Sequence, residues 1–464
     1  METKEKQKYE IDMCNGPIFG KIIRFTIPLM LSGLLQLLFN AADIVVVGRW
    51  AGSDALAAVG STGSLINLLV NVFIGLSVGA NVLVARYYGG GQKKDLSEMV
   101  HTAMLTAAIS GVLLIFIGFF VAPWALTVMG SPEETLSQSV LYIRIYFLAM
   151  PAMMLYNFGA AILRAVGDTK RPLYFLSIAG VINVILNLIM VIGFSLGVAG
   201  VAIATAVSQV ISAILVLRCL LLSQGDYKLD LQKLRITPRK LVQILLIGLP
   251  AGMQGAVFSI SNVLIQSSIN SFGYITMAGN SAASSLEGFV YIAMNTMHQS
   301  AVSFVGQNYG AQKYKRIGTI ALQCLGLVAL IGLVFGNVVY LLGGKLLYLY
   351  TTEAEVVAVG MRRLLLVCCP YFLCGVMDTL VGCIRGMGRS VLPMIVSLSG
   401  ACVFRIVWVY TVFAKYQTLE SLYISYPISW FLTSLVHLGC FLIIYLTLRK
   451  KENLKHMFGD GIIL

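Results

Sequence analysis

The sequence predicts an all-α integral membrane protein. It should have twelve transmembrane helices in two six-helix lobes related by a pseudo-two-fold axis along the membrane normal. Three observations carry that prediction. The 464 residues are 58% hydrophobic and only 11% charged, where an ordinary soluble protein has about 25% charged residues. Apolar blocks long enough to cross a bilayer as a helix recur along the whole chain. The chain also resembles itself at an offset of about 220 residues, the mark of an internal duplication.

The blocks of the first half fall at 18–45, 56–85, 98–122, 136–162, 173–194 and 198–222. A polar tail, 1–17, precedes them. The first block contains FTIPLMLSGLLQLLFNAADIVVVGR (25–49), an apolar run interrupted by Pro28 and carrying Gln36, Asn40 and Asp43. Its length exceeds that of a signal-peptide core, so it is expected to remain as a span. The second block carries Asn67 and Asn71 and closes with ARYYGGGQKKDL (85–96). The fourth holds Arg144 and Asn157 and ends in the glycine-bearing turn LRAVGDTKRP (163–172). Asn183 and Asn187 share a face of the fifth, one turn apart. Residues 223–240, SQGDYKLDLQKLRITPRK, are the longest polar stretch inside the chain and read as a cytoplasmic linker.

The second-half blocks are 241–269, 278–304, 317–342, 358–384, 391–414 and 422–447, followed by a polar tail, 450–464. The seventh block, LPAGMQGAVFSISNVLI (249–265), aligns with IPLMLSGLLQLLFNAAD (27–43), superposing Pro250 on Pro28 and Asn262 on Asn40. GQNYGAQKYKRI (306–317) matches the end of the second block. MRRLLLVCCP (361–370) matches YIRIYFLAMP (142–151), pairing Arg363 with Arg144. GCIRGMGRSVLP (382–393) matches AILRAVGDTKRP (161–172). Each repeat has six spans, an even number, so both copies enter the membrane from the same side. A substrate cavity is then expected between the lobes near the midplane.

The net charge of +13 encodes topology. Most Lys and Arg lie in the termini and the even-numbered loops, whereas the odd-numbered loops hold only Arg49, Lys345 and Lys415. That is the positive-inside pattern, with both termini cytoplasmic in an inner (plasma) membrane. No nucleic-acid partner is implied. The nine Cys lack metal-ligand spacing, and no Walker, HExxH or GxSxG sequence occurs. These features point away from an ATP-driven pump, an enzyme, a resident metal or a bound cofactor.

Polar residues inside spans are costly and mark candidate sites. In the first lobe these are Gln36, Asn40 and Asp43 on one helical face, with Asn157, Asn183 and Asn187. Asp43 reads as an ion or proton site beside a cavity, or as a residue of the outer headgroup layer near Arg49. The asparagines read as cavity lining or as bundle glue. In the second lobe the set is Asn262 and Gln266 on span seven, then Glu287, Tyr291 and Asn295 at four-residue spacing on span eight. An unpaired Glu287 must be neutral, paired or solvated in a cavity, and the cavity contact is the reading adopted. His298 reads as a satisfied core residue. Asp378 and Arg405 are expected to form a structural ion pair, and Arg144 and Arg363 to snorkel toward the outer interface.

The chain resembles the multidrug and toxic compound extrusion (MATE) family, bacterial type, over nearly its whole length. The resemblance rests on Pro28 in the first span, ADIVVVGR (42–49), ALAAVG (55–60), LRAVGDTKRP (163–172), GVAGVAIATAVSQ (197–209), SISNVLIQSSINSFG (259–273) and FVGQNYGA (304–311). It implies a secondary antiporter that expels cationic, amphipathic drugs in exchange for inward H⁺ or Na⁺. It also implies that Asp43 couples the cation, with Asn183 and Asn40 beside it. Many members carry an acid where this chain has Asn187, which leaves Asp43 to titrate alone. A sodium site in the second lobe would draw on Glu287 and Asp378, since span seven supplies no acid. The expected partners are small organic cations and membrane lipids, with the protein acting as a monomer.

The reading adopted is a proton-driven exporter in which ionised Asp43 attracts the drug and protonation releases it. Pro28 and Pro250 are the expected hinges, because proline removes a backbone hydrogen bond. The alternative is a flippase for lipid-linked saccharides of a related two-lobed fold. It is disfavoured by the low number of arginines expected inside the membrane.

Overall fold

A computed structural model describes residues 9–128 and 133–458, and every regular element among them is helical. The first half comprises α1 (Phe19–Val46), α2 (Ser53–Gly89), α3 (Lys93–Val128), α4 (Glu133–Leu148), α5 (Met150–Ala165), α6 (Lys170–Asn187) and α7 (Gly197–Leu221). The second comprises α8 (Pro238–Asn270), α9 (Tyr274–Gly310), α10 (Tyr314–Leu347), α11 (Ala354–Arg363) and α12 (Phe372–Gly386), then α13 (Val391–Ser397), α14 (Phe404–Trp408), α15 (Ala414–Tyr416), α16 (Leu419–Tyr423) and α17 (Ser425–Phe458). Ten helical stretches are long and apolar enough to cross a membrane. The pair α4–α5, bent by 48° just before Pro151, supplies an eleventh. α9 stands where the eighth span is expected; at 37 residues it has ample length, but its first turns, GNSAASS, are less apolar. Together these are the twelve spans expected from the sequence.

The duplication is written into the backbone. α2 and α9 are both 37 residues long. Gly52 (φ +91°) precedes α2 and Gly273 (φ +92°) precedes α9, while Gly167 (φ +100°) and Gly388 (φ +81°) occupy equivalent turns. Those left-handed angles favour glycine.

The chain divides into two compact units. The first is Ile27–Ala256 with the segment ending at Asp12; the second is Met13–Thr26 with Val257–Leu464. Compared with the expected lobes of 18–222 and 241–449, residues 18–26 lie in the second unit and 241–256 in the first. The linker, 223–240, also belongs to the first. Packing explains both exchanges. Phe25 meets Phe304 edge-on at 5.5 Å, and Thr26 Oγ1 is 2.9 Å from Ser300 Oγ. The early part of α8 presses onto α2 through Gly75 and Gly79 on one side and Gly248 and Gly252 on the other. A Cβ on Gly75 would fall 2.3 Å from the Gly252 nitrogen, and one on Gly252 would fall 2.4 Å from the Val72 carbonyl oxygen. Small residues at four-residue spacing permit such backbone contact.

Candidate functional site

In the first unit, α1 presents Gln36, Asn40 and Asp43 on one face. Gln36 and Asn40 are exposed, and Asp43 is half-buried. α6 ends at Asn187, which is fully buried and followed by a π-helical segment, Leu188–Gly193. Such segments occur often at functional sites. The Asn187 Nδ2 donates to Asp43 Oδ1 and, at 3.3 Å, to Asn183 Oδ1. Asn183, also buried, donates to Thr205 Oγ1 of α7 at 3.5 Å. Three helices thus supply one polar chain, Asp43–Asn187–Asn183–Thr205.

Tyr142 and Tyr146 of α4 stack with centroids 5.9 Å apart, and both lie within electrostatic reach of Asp43. The second Asp43 oxygen has no hydrogen-bond partner among the described residues. A carboxylate held at one oxygen and open at the other can take a proton or pair with a cation. Asn157 stands apart, donating at 2.9 Å to Met153 O of its own helix. The sequence reading missed Thr205, Tyr142 and Tyr146. The tyrosines, four apart on one helical face, were the legible signal.

In the second unit Glu287 is not the cavity contact expected of it. It is 4% exposed, and Arg363, 6% exposed, takes both of its oxygens in a fork, at 2.8 Å from Nε and 2.7 Å from Nη2. Arg363 therefore does not snorkel. Its Nη1 donates to Asn280 Oδ1 at 2.6 Å, and the Tyr423 hydroxyl donates to the same oxygen at 3.1 Å. Asn280 in turn donates to Gln266 Oε1 at 2.9 Å, and Gln266 donates to Asn270 at 2.8 Å. In the first half the equivalent arginine, Arg144, is exposed and lies against the Phe119 ring at 5.7 Å. The repeat position of Glu287 there is Ile66, so no acid is available to draw Arg144 inward.

Asn262 is exposed on α8. Asn295 donates to the Tyr291 hydroxyl at 3.4 Å and accepts from Gln299 at 3.1 Å, so this part of the ladder holds together without Glu287. The expected Asp378–Arg405 ion pair is absent among the described residues. Arg405 donates instead to Ser429 Oγ at 2.8 Å. Asp378 is half-buried, its backbone oxygen taken by His298 Nδ1 at 2.7 Å, as a satisfied core histidine would be. With Glu287 committed to Arg363, an ion site built from Glu287 and Asp378 lacks one of its two acids. The expectation of few intramembrane arginines also needs correction. Arg363, Arg385 and Arg405 are buried, and aromatic faces and hydrogen-bonding groups enclose Arg363 and Arg405. Pro28 and Pro250 both lie inside continuous helices, α1 and α8. The boundary between the two compact units in α1, between Thr26 and Ile27, falls one residue before Pro28.

Among known proteins, the MatE family profile matches this chain twice, at residues 28–189 and 250–411. A probable multidrug resistance protein of Bacillus subtilis (strain 168), YoeA, is 27% identical over 97% of this chain and 99% of its own length. A second from that organism, YpnP, is 28% identical over 85% of this chain and 88% of its own length. The solved outward-facing structure of a multidrug resistance MATE family transporter superposes with a TM-score of 0.89. It is 22% identical and covers 96% of this chain and all of that one.

Proposed function

Because the chain belongs to the MatE family, the multidrug and toxic compound extrusion transporters, we propose that it is a secondary active antiporter. It exports cationic, amphipathic organic compounds in exchange for inward protons. It works as a monomer in the plasma membrane, with both termini cytoplasmic. The observation that carries this reading is the polar chain Asp43–Asn187–Asn183–Thr205, which links three apolar spans of the first unit. The family and its multidrug-resistance relatives support multidrug export, and the acid at Asp43 supports a preference for cations.

Each residue has a role in that cycle. The ionised Asp43, held by the Asn187 amide, offers one open oxygen to an incoming cation. Tyr142 and Tyr146 offer ring faces beside it, and aromatic faces attract cations. A proton arriving from outside neutralises Asp43, removes the counter-charge and releases the substrate. Asn187 cannot titrate, so one proton at Asp43 accounts for the charge change in this unit. Proton rather than sodium coupling is supported by the commitment of Glu287 to Arg363, which leaves Asp378 without a second acid. Pro28 absorbs the accompanying bend of α1.

The test is accumulation of a fluorescent organic cation by cells expressing the chain. Accumulation should be low in energised cells and rise to the level of the empty-vector control when a protonophore is added. Equal accumulation with and without the chain, across several cations, would refute cation export.

A further inference from the structure

Two of the three arginines buried in the second unit have carboxylates to answer them: Glu287 for Arg363, and Asp378 within electrostatic reach of Arg385. Arg405 does not. It is 3% exposed, and its Nε donates to Ser429 Oγ at 2.8 Å. Its Nη2 is buried with no acceptor among the described residues. The groups that act on it most strongly are Tyr426, Cys374, Cys402 and Tyr371, none of them an acid at neutral pH.

A guanidinium cannot shed its proton to escape burial. Nor can an unpaired buried charge be tolerated cheaply. The Tyr426 and Trp430 faces, 4.3 and 5.5 Å from the guanidinium carbon, offset part of the charge. Ring faces do not accept the Nη2 hydrogens as an anion would, and Tyr426 already faces a second cation, Arg363, at 5.8 Å. α14, which carries Arg405, is bracketed by π-helical segments at Leu398–Val403 and Val409–Phe413, irregularities that occur often at functional sites.

We propose that Arg405 holds a small monovalent anion inside the second unit, bound at the Nη2 that has no acceptor among the described residues. Its chemistry is that of a halide or a short carboxylate, accepting from Nη2 and completing the charge balance of the unit. This site is separate from Asp43 and stands whichever ion drives transport.

The test uses the full chain purified in detergent in sodium gluconate, whose anion is too bulky for so closed a site. Gluconate is then replaced by chloride, or by acetate, at constant ionic strength. The thermal unfolding midpoint should rise saturably, by roughly 2–5 °C once the anion is in hundredfold excess over its dissociation constant. Response to chloride identifies a halide; response to acetate alone identifies a carboxylate. Arg405→Gln should remove the dependence, and Arg405→Lys should retain it in weakened form. A wild-type midpoint indifferent to both anions overturns the proposal, as does an unchanged dependence in Arg405→Gln. Should that variant fail to fold, bromide quenching of tryptophan fluorescence in the wild type decides. A saturable component lost in Trp430→Phe supports a halide site, and strictly linear quenching together with a midpoint indifferent to acetate overturns the proposal.

Discussion

Asp43 on α1 and Glu287 on α9 are both acids inside spans, and their surroundings give them opposite work. Asp43 keeps one oxygen open, whereas Glu287 has both oxygens bound by Arg363. Asp43→Asn is therefore expected to abolish efflux of organic cations with insertion and expression unchanged; full resistance at normal expression would remove Asp43 from the mechanism. Asn187→Ala removes a charge-assisted hydrogen bond, about 1.5–3 kcal/mol, and should weaken efflux tenfold or more in a dose–response assay. Glu287→Gln leaves Arg363 buried without a counter-charge, which costs about 3–5 kcal/mol. Its unfolding midpoint should fall sharply, and Glu287→Gln/Arg363→Met should recover most of the loss because both charges leave together. A stable Glu287→Gln variant with selectively impaired dication efflux would restore the cavity reading of this residue.

At the scale of elements, the α2–α8 seam sets two helix backbones in direct contact. Gly75, Gly79, Gly248 and Gly252 bring the two backbones together with no room for a Cβ. Gly252→Val should prevent accumulation of folded protein. Gly255→Ala, one turn along the same helix, meets only Asn71 side-chain atoms at 3.7 and 3.8 Å and should be tolerated. Equal yields of the two variants by fluorescence-detected size exclusion would contradict the seam. The sequence displayed these glycines without indicating their use, since a GxxxG spacing acquires meaning only from the helix facing it. The helices themselves were legible, because spans are set by apolar length, which is a local property.

For the whole molecule, the coupling ion is the decisive question. Reconstituted in proteoliposomes, the protein should move a cationic substrate in response to an imposed pH gradient in buffers free of sodium. Lowering the pH on the side receiving substrate should speed release, because protonated Asp43 no longer holds a cation. Strict dependence on sodium at constant pH would instead direct attention to Asp378 and to whatever second ligand it recruits. The two units need not contribute alike. The first combines a half-open acid with neutral amides, and the second combines a closed ion pair with the buried Arg405.

The sequence by itself determined the spans, the duplication and the family. Apolar length, charge distribution and recurrence at a fixed offset are one-dimensional quantities, readable without knowing which helix faces which. The family resemblance also placed Asp43, Asn183 and Asn187 in one candidate set, and helical spacing put the two asparagines on one face. Only the tertiary structure decided the partners. The Asn187 amide bonds Asp43 across 144 residues of chain, and Arg363 reaches Glu287 across 76. Thr205 joined the site, while Glu287 was withdrawn from the cavity and Arg405 was left without an acid. Hydrogen bonds and ion pairs require contact within a few ångströms, and in a helical bundle the packing of whole elements sets those distances.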